Sequence, residues 1–229
     1  MPASKSWNWR VIGAFAAIYL LWGSTYLGIR FALETMPPFL IAGTRFVIAG
    51  SILYVLARRQ GAPVPRRVHW RSAFILGFIL FVLNNGSLMW AQKRVPSGMA
   101  ALLIATVPLW MVLSNWLLFR GRRPGRQVFV GLFTGLVGIM LLVSPNAAEP
   151  LDTVGALMLI FASFAWAFGS LLSKHMPIPD SALQGAGMNL LAGGALLLCL
   201  SFLSGEMAAF NPLAVSLKST LAVVYLTIF

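Results

Sequence analysis

The chain has 229 residues, of which 59% are hydrophobic and only 10% charged, with a mean hydropathy of +0.85 and a formal net charge of +12. Such a composition excludes a soluble globular domain and marks a membrane chain. Its basic residues fall in short stretches between apolar runs, the arrangement of membrane topology determinants and not of a nucleic-acid surface.

Crossing about 30 Å of hydrocarbon at about 1.5 Å per residue takes about 20 apolar residues. The sequence offers windows of that order at 11–33, 39–57, 72–91, 97–119, 127–144, 152–174 and 183–204, and an eighth begins near Ser216. Only helices and closed barrels satisfy every backbone group in lipid, and uninterrupted apolar runs exclude the alternating pattern of barrel strands. The expected fold is therefore all-α, a polytopic transmembrane helical bundle. The first run is longer than a signal-peptide core and no small-x-small cleavage pattern follows it, so it reads as a retained span.

The first span carries WGSTYLGIR, which brings Trp22 and Arg30 into an apolar run, with Glu34 following Arg30 at i+4 on the same helix face. A snorkelled pair at the membrane boundary accounts for Arg30, and a gate or anchor is the functional alternative. The second span contains AGTRF, which sets Arg45 well inside the hydrocarbon. A guanidinium there costs at least about 2–3 kcal/mol unless it pairs or faces a wet cavity. It reads either as a bidentate anchor for a substrate carboxylate or phosphate, or as a structural arginine holding helix ends together.

The third span holds the adjacent amides Asn84 and Asn85 and, further on, Trp90. Neighbours about 100° apart on a helix cannot both face lipid, so at least one points into the bundle. Pro108 removes a backbone hydrogen bond from the fourth span and is expected to kink it, which makes it a candidate hinge. Gly131, Gly135 and Gly138 of the fifth span form GxxxGxxG, a close-packing face for the bundle or for a homodimer contact. The sixth span carries Trp166 and ends near Lys174; the seventh carries Asn189.

With the N-terminus inside, twelve basic residues of the loops and termini, from Lys5 and Arg10 to Lys174, fall on the cytoplasmic side against Lys93, Arg94 and Lys218 outside, while Glu34, Glu149, Asp152 and Glu206 fall outside. This is a positive-inside pattern. Sliding the chain against itself at a constant offset of 144 residues pairs Trp22 with Trp166, Arg30 with Lys174, Gly43 with Gly187, Arg45 with Asn189 and Gly50 with Gly194. A unit of five spans is odd in number, so its second copy runs through the membrane in the opposite sense. That is the inverted-repeat construction of secondary transporters. The expected organisation is a cytoplasmic segment 1–10, a first five-helix unit 11–144 and a second, incomplete unit 152–229.

The segments WGSTYLGIRFAL, PPFLIAGTRFVIAG, NNGSLMWAQKRVPSGMAALLIATVPLW, GLFTGLVGIMLLVSPN and FASFAWAFGSLLSKH, in this order, resemble the EamA-type transporters of the drug/metabolite transporter superfamily. The resemblance implies an inner-membrane carrier of ten spans in two repeats that moves small metabolites such as amino acids, sugars or purine-like compounds, often outward. It also implies that this chain is truncated at its C-terminal end. Family members often carry Gly-Glu-Arg where this chain reads Gly121-Arg122-Arg123.

Substrate-lining candidates are Trp22, Arg45, Asn84, Asn85, Trp90, Trp166 and Asn189; gate or anchor candidates are Arg30, Glu34 and Lys174. No acid lies in the middle of a span, which argues against an intramembrane counter-ion for lipophilic cations and favours anionic, zwitterionic or neutral substrates. His69 and His175 are too scattered for a metal site, no phosphate-binding loop or catalytic constellation is present, and no cofactor is expected. The expected partners are the lipid bilayer and a small-molecule substrate, without nucleic acid. The competing reading is a non-transporting membrane scaffold or an inactive shortened carrier.

Overall fold

The structure is a computed structural model that describes residues 9–142 and 152–228. Residues 1–8, Lys5 among them, positions 143 and 144 of the first expected unit, Glu149 and Phe229 lie outside the described residues. Among the described residues every regular element is a helix. The first two spans are α1 (Trp9–Ala32) and α2 (Pro38–Arg59). The third is composite: α3 (Arg67–Gly77), a π-helical segment Phe78–Gly86 and α4 (Ser87–Ala91). The fourth is split into α5 (Ser97–Ile104) and α6 (Val107–Leu117). Then come α7 (Arg126–Leu142), α8 (Thr153–Leu172), α9 (Ala182–Leu203), the short α10 (Glu206–Ala209) and α11 (Leu217–Ile228). Six stretches of the described chain are long and apolar enough to cross a membrane, and Arg126–Gly138 and Leu217–Ile228 are shorter apolar helices. The chain is a polytopic helical bundle and contacts the lipid bilayer.

The helix starts show how polar groups are satisfied at the membrane edges. Asp152 caps α8, its Oδ1 accepting from the backbone N–H of Val154 at 2.9 Å and of Gly155 at 3.2 Å, and its Oδ2 meets Arg94 at 3.3 Å. The Gly155 N–H above all, with Arg94 and the Val154 N–H, holds this carboxyl below its ordinary range. Helix α2 begins with Pro37 and Pro38, which suit a first turn but bring no side-chain cap. Its free N–H groups at Phe39 and Leu40 are taken by the Glu206 carboxylate, at 3.0 and 3.2 Å, and Ser201 Oγ donates to the same oxygen at 3.0 Å. A residue from the second half of the chain thus caps a helix of the first.

The fourth span differs from expectation in where it gives way. The helix stops at Ile104, Ala105 and Thr106 form a turn, and Pro108 stands in the first turn of α6, where a missing N–H costs nothing. Thr106 Oγ1 donates to the Leu103 carbonyl at 2.7 Å across the break.

The most extensive helix contact joins α2 to α9 through glycines. A Cβ built on Gly50 would lie 2.8 Å from the Leu191 nitrogen and 2.9 Å from the Gly187 oxygen; one on Gly194 would lie 2.8 Å from the Val47 nitrogen and 3.0 Å from the Gly43 oxygen. Likewise Gly187 faces the Tyr54 nitrogen at 2.7 Å and Gly43 faces the Leu198 nitrogen at 2.9 Å. Each contact turns into its partner when the two residues are exchanged at the offset of 144, which is the signature of an isologous interface. The same exchange relates the pairing of α1 with α11 to that of α8 with the third span. By contrast, a Cβ on Gly131, Gly135 or Gly138 would touch nothing. Among the described residues the close backbone approaches join α9 to α2 and, at Gly77 against the Gly193 nitrogen, to α3; none falls on α7.

Gly187→Val should therefore lower stability by about 1–3 kcal/mol, as overpacking does, whereas Gly135→Ala should leave the thermal unfolding midpoint in detergent essentially unchanged. Glu206→Ala, which strips the cap from α2, should cost about 1–2 kcal/mol in the same measurement.

Candidate functional site

The bundle encloses a cavity of about 220 Å³ between α1, α2, the π-helical segment, the α5–α6 break and α8. Its walls include Trp22, Tyr26, Phe46, Phe81 and Trp166, and its polar groups are Arg45, Asn84 and Asn85. Phe46 and Phe81 meet edge to face, with ring centroids 4.6 Å apart, and fix one side of it.

Arg45 reaches this cavity because the α2–α9 contact pulls α2 into the centre of the bundle. The residue is 6% exposed. Its guanidinium carbon lies 4.3 Å from the centroid of the Phe46 ring, and Nη2 donates to Asn85 Oδ1 at 3.1 Å. Nε is buried without a partner. A guanidinium has five donors, so one hydrogen bond and one ring face leave most of the cost of burying it uncompensated.

The two asparagines form a relay from that arginine to the far wall. Asn85 Nδ2 donates to Asn84 Oδ1 at 3.1 Å and to the Leu80 carbonyl at 3.2 Å, and Asn84 Nδ2 donates to the Ala162 carbonyl of α8 at 2.8 Å. The chain of amides therefore aligns Asn85 Oδ1 toward Arg45 and ties three spans together. It sits at the end of a nine-residue π-helical run, and wide helical turns of that kind are rare and recur at functional sites. The widened turn also explains how Asn85 can reach back to the carbonyl of Leu80.

Five of the seven expected lining residues, Trp22, Arg45, Asn84, Asn85 and Trp166, come together here; Trp90 and Asn189 are not among the lining residues. Trp90 lies near the end of α4 with the Arg94 guanidinium 4.7 Å from its ring centroid. Asn189 is half-buried on α9. The lining is not uniformly enclosed. Ile29 and Leu88 are 0% and 7% exposed, while Trp22 is 54% exposed.

The boundary residues are arranged differently from the sequence pattern. Glu34 pairs with Lys218 at 2.5 Å, and no ion pair joins it to Arg30 among the described residues. Tertiary packing of α11 against α1 offers Glu34 a cation from another helix. Lys174 lies exposed in the short turn Ser173–His175 after α8. Glu206 and Gln92 were not singled out by the sequence. Gln92 is 1% exposed with both amide atoms unpartnered, and only its position beside the expected end of a span hinted at it.

A family model described as the EamA-like transporter family matches residues 9–144. A protein named as an uncharacterized inner membrane transporter, YedA of Escherichia coli K12, is 35% identical over 220 residues, which cover 96% of this chain and 70% of that protein. A probable amino-acid metabolite efflux pump of Salmonella typhimurium is 24% identical over 195 residues, 83% of this chain and 61% of that protein. A solved crystal structure superposes with a TM-score of 0.65 at 24% identity, covering 93% of this chain and 72% of the other. At that identity it speaks for the fold alone.

Asn85→Asp would place a carboxylate against Arg45 Nη2. The variant should insert into membranes normally yet lose more than about tenfold in affinity for any anionic ligand of the cavity, measured as ligand-dependent thermal shift.

Proposed function

This chain belongs to the EamA-like transporter family and is a multi-pass membrane transporter; from that premise we propose that it moves a small anionic, zwitterionic or neutral metabolite through the Arg45 cavity by alternating access. The observation that carries the reading is the guanidinium itself, buried beside a cavity with one side-chain hydrogen bond and an unpartnered Nε. A ligand that supplies the opposite charge would offset the desolvation of this buried cation, which has no acid partner among the described residues. The walls of Trp22, Tyr26 and Trp166 would hold the apolar or planar part of that ligand, and Asn84 and Asn85 would orient the arginine toward it.

The reciprocal glycine contact supports two inverted units, 11–144 and 152–229, rocking about the α2–α9 interface. In that scheme Pro108 and the break beside it serve as a hinge, and Arg30, Glu34 and Lys174 flank the entrances. The positive-inside pattern supports a cytoplasmic N-terminus and an inner-membrane location. Outward movement is favoured by the likeness to a protein named as an amino-acid metabolite efflux pump.

A thermal-shift screen of the purified protein against amino acids, organic acids, sugars and purines should return carboxylated hits, which are then assayed for transport in proteoliposomes. Arg45→Gln should weaken both the shift and the transport of those hits by more than about tenfold, and Arg45→Lys should not restore them, since an ammonium lacks the planar fork. Unchanged kinetics in Arg45→Gln would remove the arginine from the site.

A further inference from the structure

A second cavity, of about 370 Å³, opens where α1 and the third span finish, lined by Arg30, Leu33, Glu34, Gln92 and Lys93. It shares no lining residue with the Arg45 cavity. We propose that this mouth is a binding site for an oxyanion, a carboxylate or phosphate group, held by Arg30, Lys93 and the Gln92 amide.

Charge is the first support. Arg30 and Lys93 are exposed cations that enter no ion pair among the described residues, and the one acid of the lining, Glu34, is already matched by Lys218 at 2.5 Å. The mouth therefore carries two uncompensated positive charges. Both helices end here, and their C-terminal dipoles favour cations at these positions. Several of their last carbonyls already accept backbone N–H groups: those of Ile29 and Ala32 from Leu33 and Met36, and those of Leu88 and Ala91 from Gln92 and Val95. The cations are thus left facing the cavity without an anionic partner.

The second support is independent of charge. Gln92 is 1% exposed and both Nε2 and Oε1 lack a hydrogen-bond partner. A buried amide left wholly unpaired is costly, and an apolar side chain of similar shape would be better there unless something polar binds. An oxyanion accepting from Nε2, flanked by the guanidinium of Arg30 and the ammonium of Lys93, supplies the acceptor that Nε2 lacks. Free anions and the phosphate of an anionic phospholipid share this chemistry, and the position beside the end of two spans is open to either.

The test uses the purified protein in a neutral detergent, titrated with sodium phosphate and with sodium acetate against sodium chloride at matched ionic strength. A saturable rise in unfolding midpoint is expected, weakened about tenfold or more in the doubly substituted Arg30→Gln, Lys93→Gln protein and in Gln92→Leu. In nanodiscs containing phosphatidylglycerol, retention of that lipid in native mass spectra, with loss of the soluble-anion effect and loss of retention in the double variant, assigns the site to a headgroup. Absence of both a saturable shift and lipid retention overturns the proposal. So does a Gln92→Leu protein that is stabilised equally with and without anion, because the amide would then be an unsatisfied group and not a ligand.

Discussion

The contact between α2 and α9 is the constraint on which the remaining structure depends. In lipid there is no hydrophobic gain from pressing one apolar helix on another, so association rests on van der Waals packing and interhelical hydrogen bonds, and at an apolar contact such as this one on close backbone packing. Gly43, Gly50, Gly187 and Gly194 allow it, and their reciprocal arrangement fixes both the antiparallel sense and the register. Once the two helices are locked, α8 packs on the third span, α11 packs on α1, and the Glu206 carboxylate reaches the start of α2. The cavity is the space these pairings enclose and cannot fill.

Arg45 stands one and a half turns from Gly50 on the same helix, so the helix that makes the tightest contact also carries the most expensive side chain. The two facts are related. A guanidinium in the hydrocarbon region tolerates only a fixed polar surrounding, and a flexible helix would let it escape to the boundary. The amide relay through Asn85 and Asn84 to the Ala162 carbonyl supplies the fixed surrounding on one side, while Phe46 covers one face of the guanidinium. The remaining donors are the chemical resource of the site.

Much of this is legible in the sequence, for identifiable reasons. Span positions follow from hydropathy because the bilayer imposes length and backbone satisfaction on every segment. Arg45, Asn84 and Asn85 stood out because a polar group in an apolar run must face something other than lipid, and the two tryptophans stood out because the repeat pairs them. Sequence reasoning failed where the deciding partner lies far along the chain. Glu34 meets Lys218 and not its helical neighbour, and Glu206 caps a helix begun 168 residues earlier. Within this chain no helix approaches the glycine stripe of α7 among the described residues, which leaves the homodimer contact as the reading of that motif. The π-helical widening of the third span has no signature in residue type, since its turns depend on what packs around them.

The repeat is geometrically symmetric at its glycines and chemically asymmetric at its centre. Arg45 faces the cavity from α2, whereas the equivalent position on α9 carries Asn189, which does not line it. A carrier whose two halves exchange conformations can keep symmetry in the contact that must form equally well in both states, because that contact sets the balance between them. It has no reason to keep symmetry in the group that grips a ligand, since a second arginine across the axis would repel the first and bind the ligand's charge twice. Under the proposed alternating-access reading, one cation on one half, hydrogen-bonded to an amide on a neighbouring span, would serve as a single anchor while the halves move. The asymmetry is thus the expected form for a site holding one singly charged ligand within a two-fold scaffold.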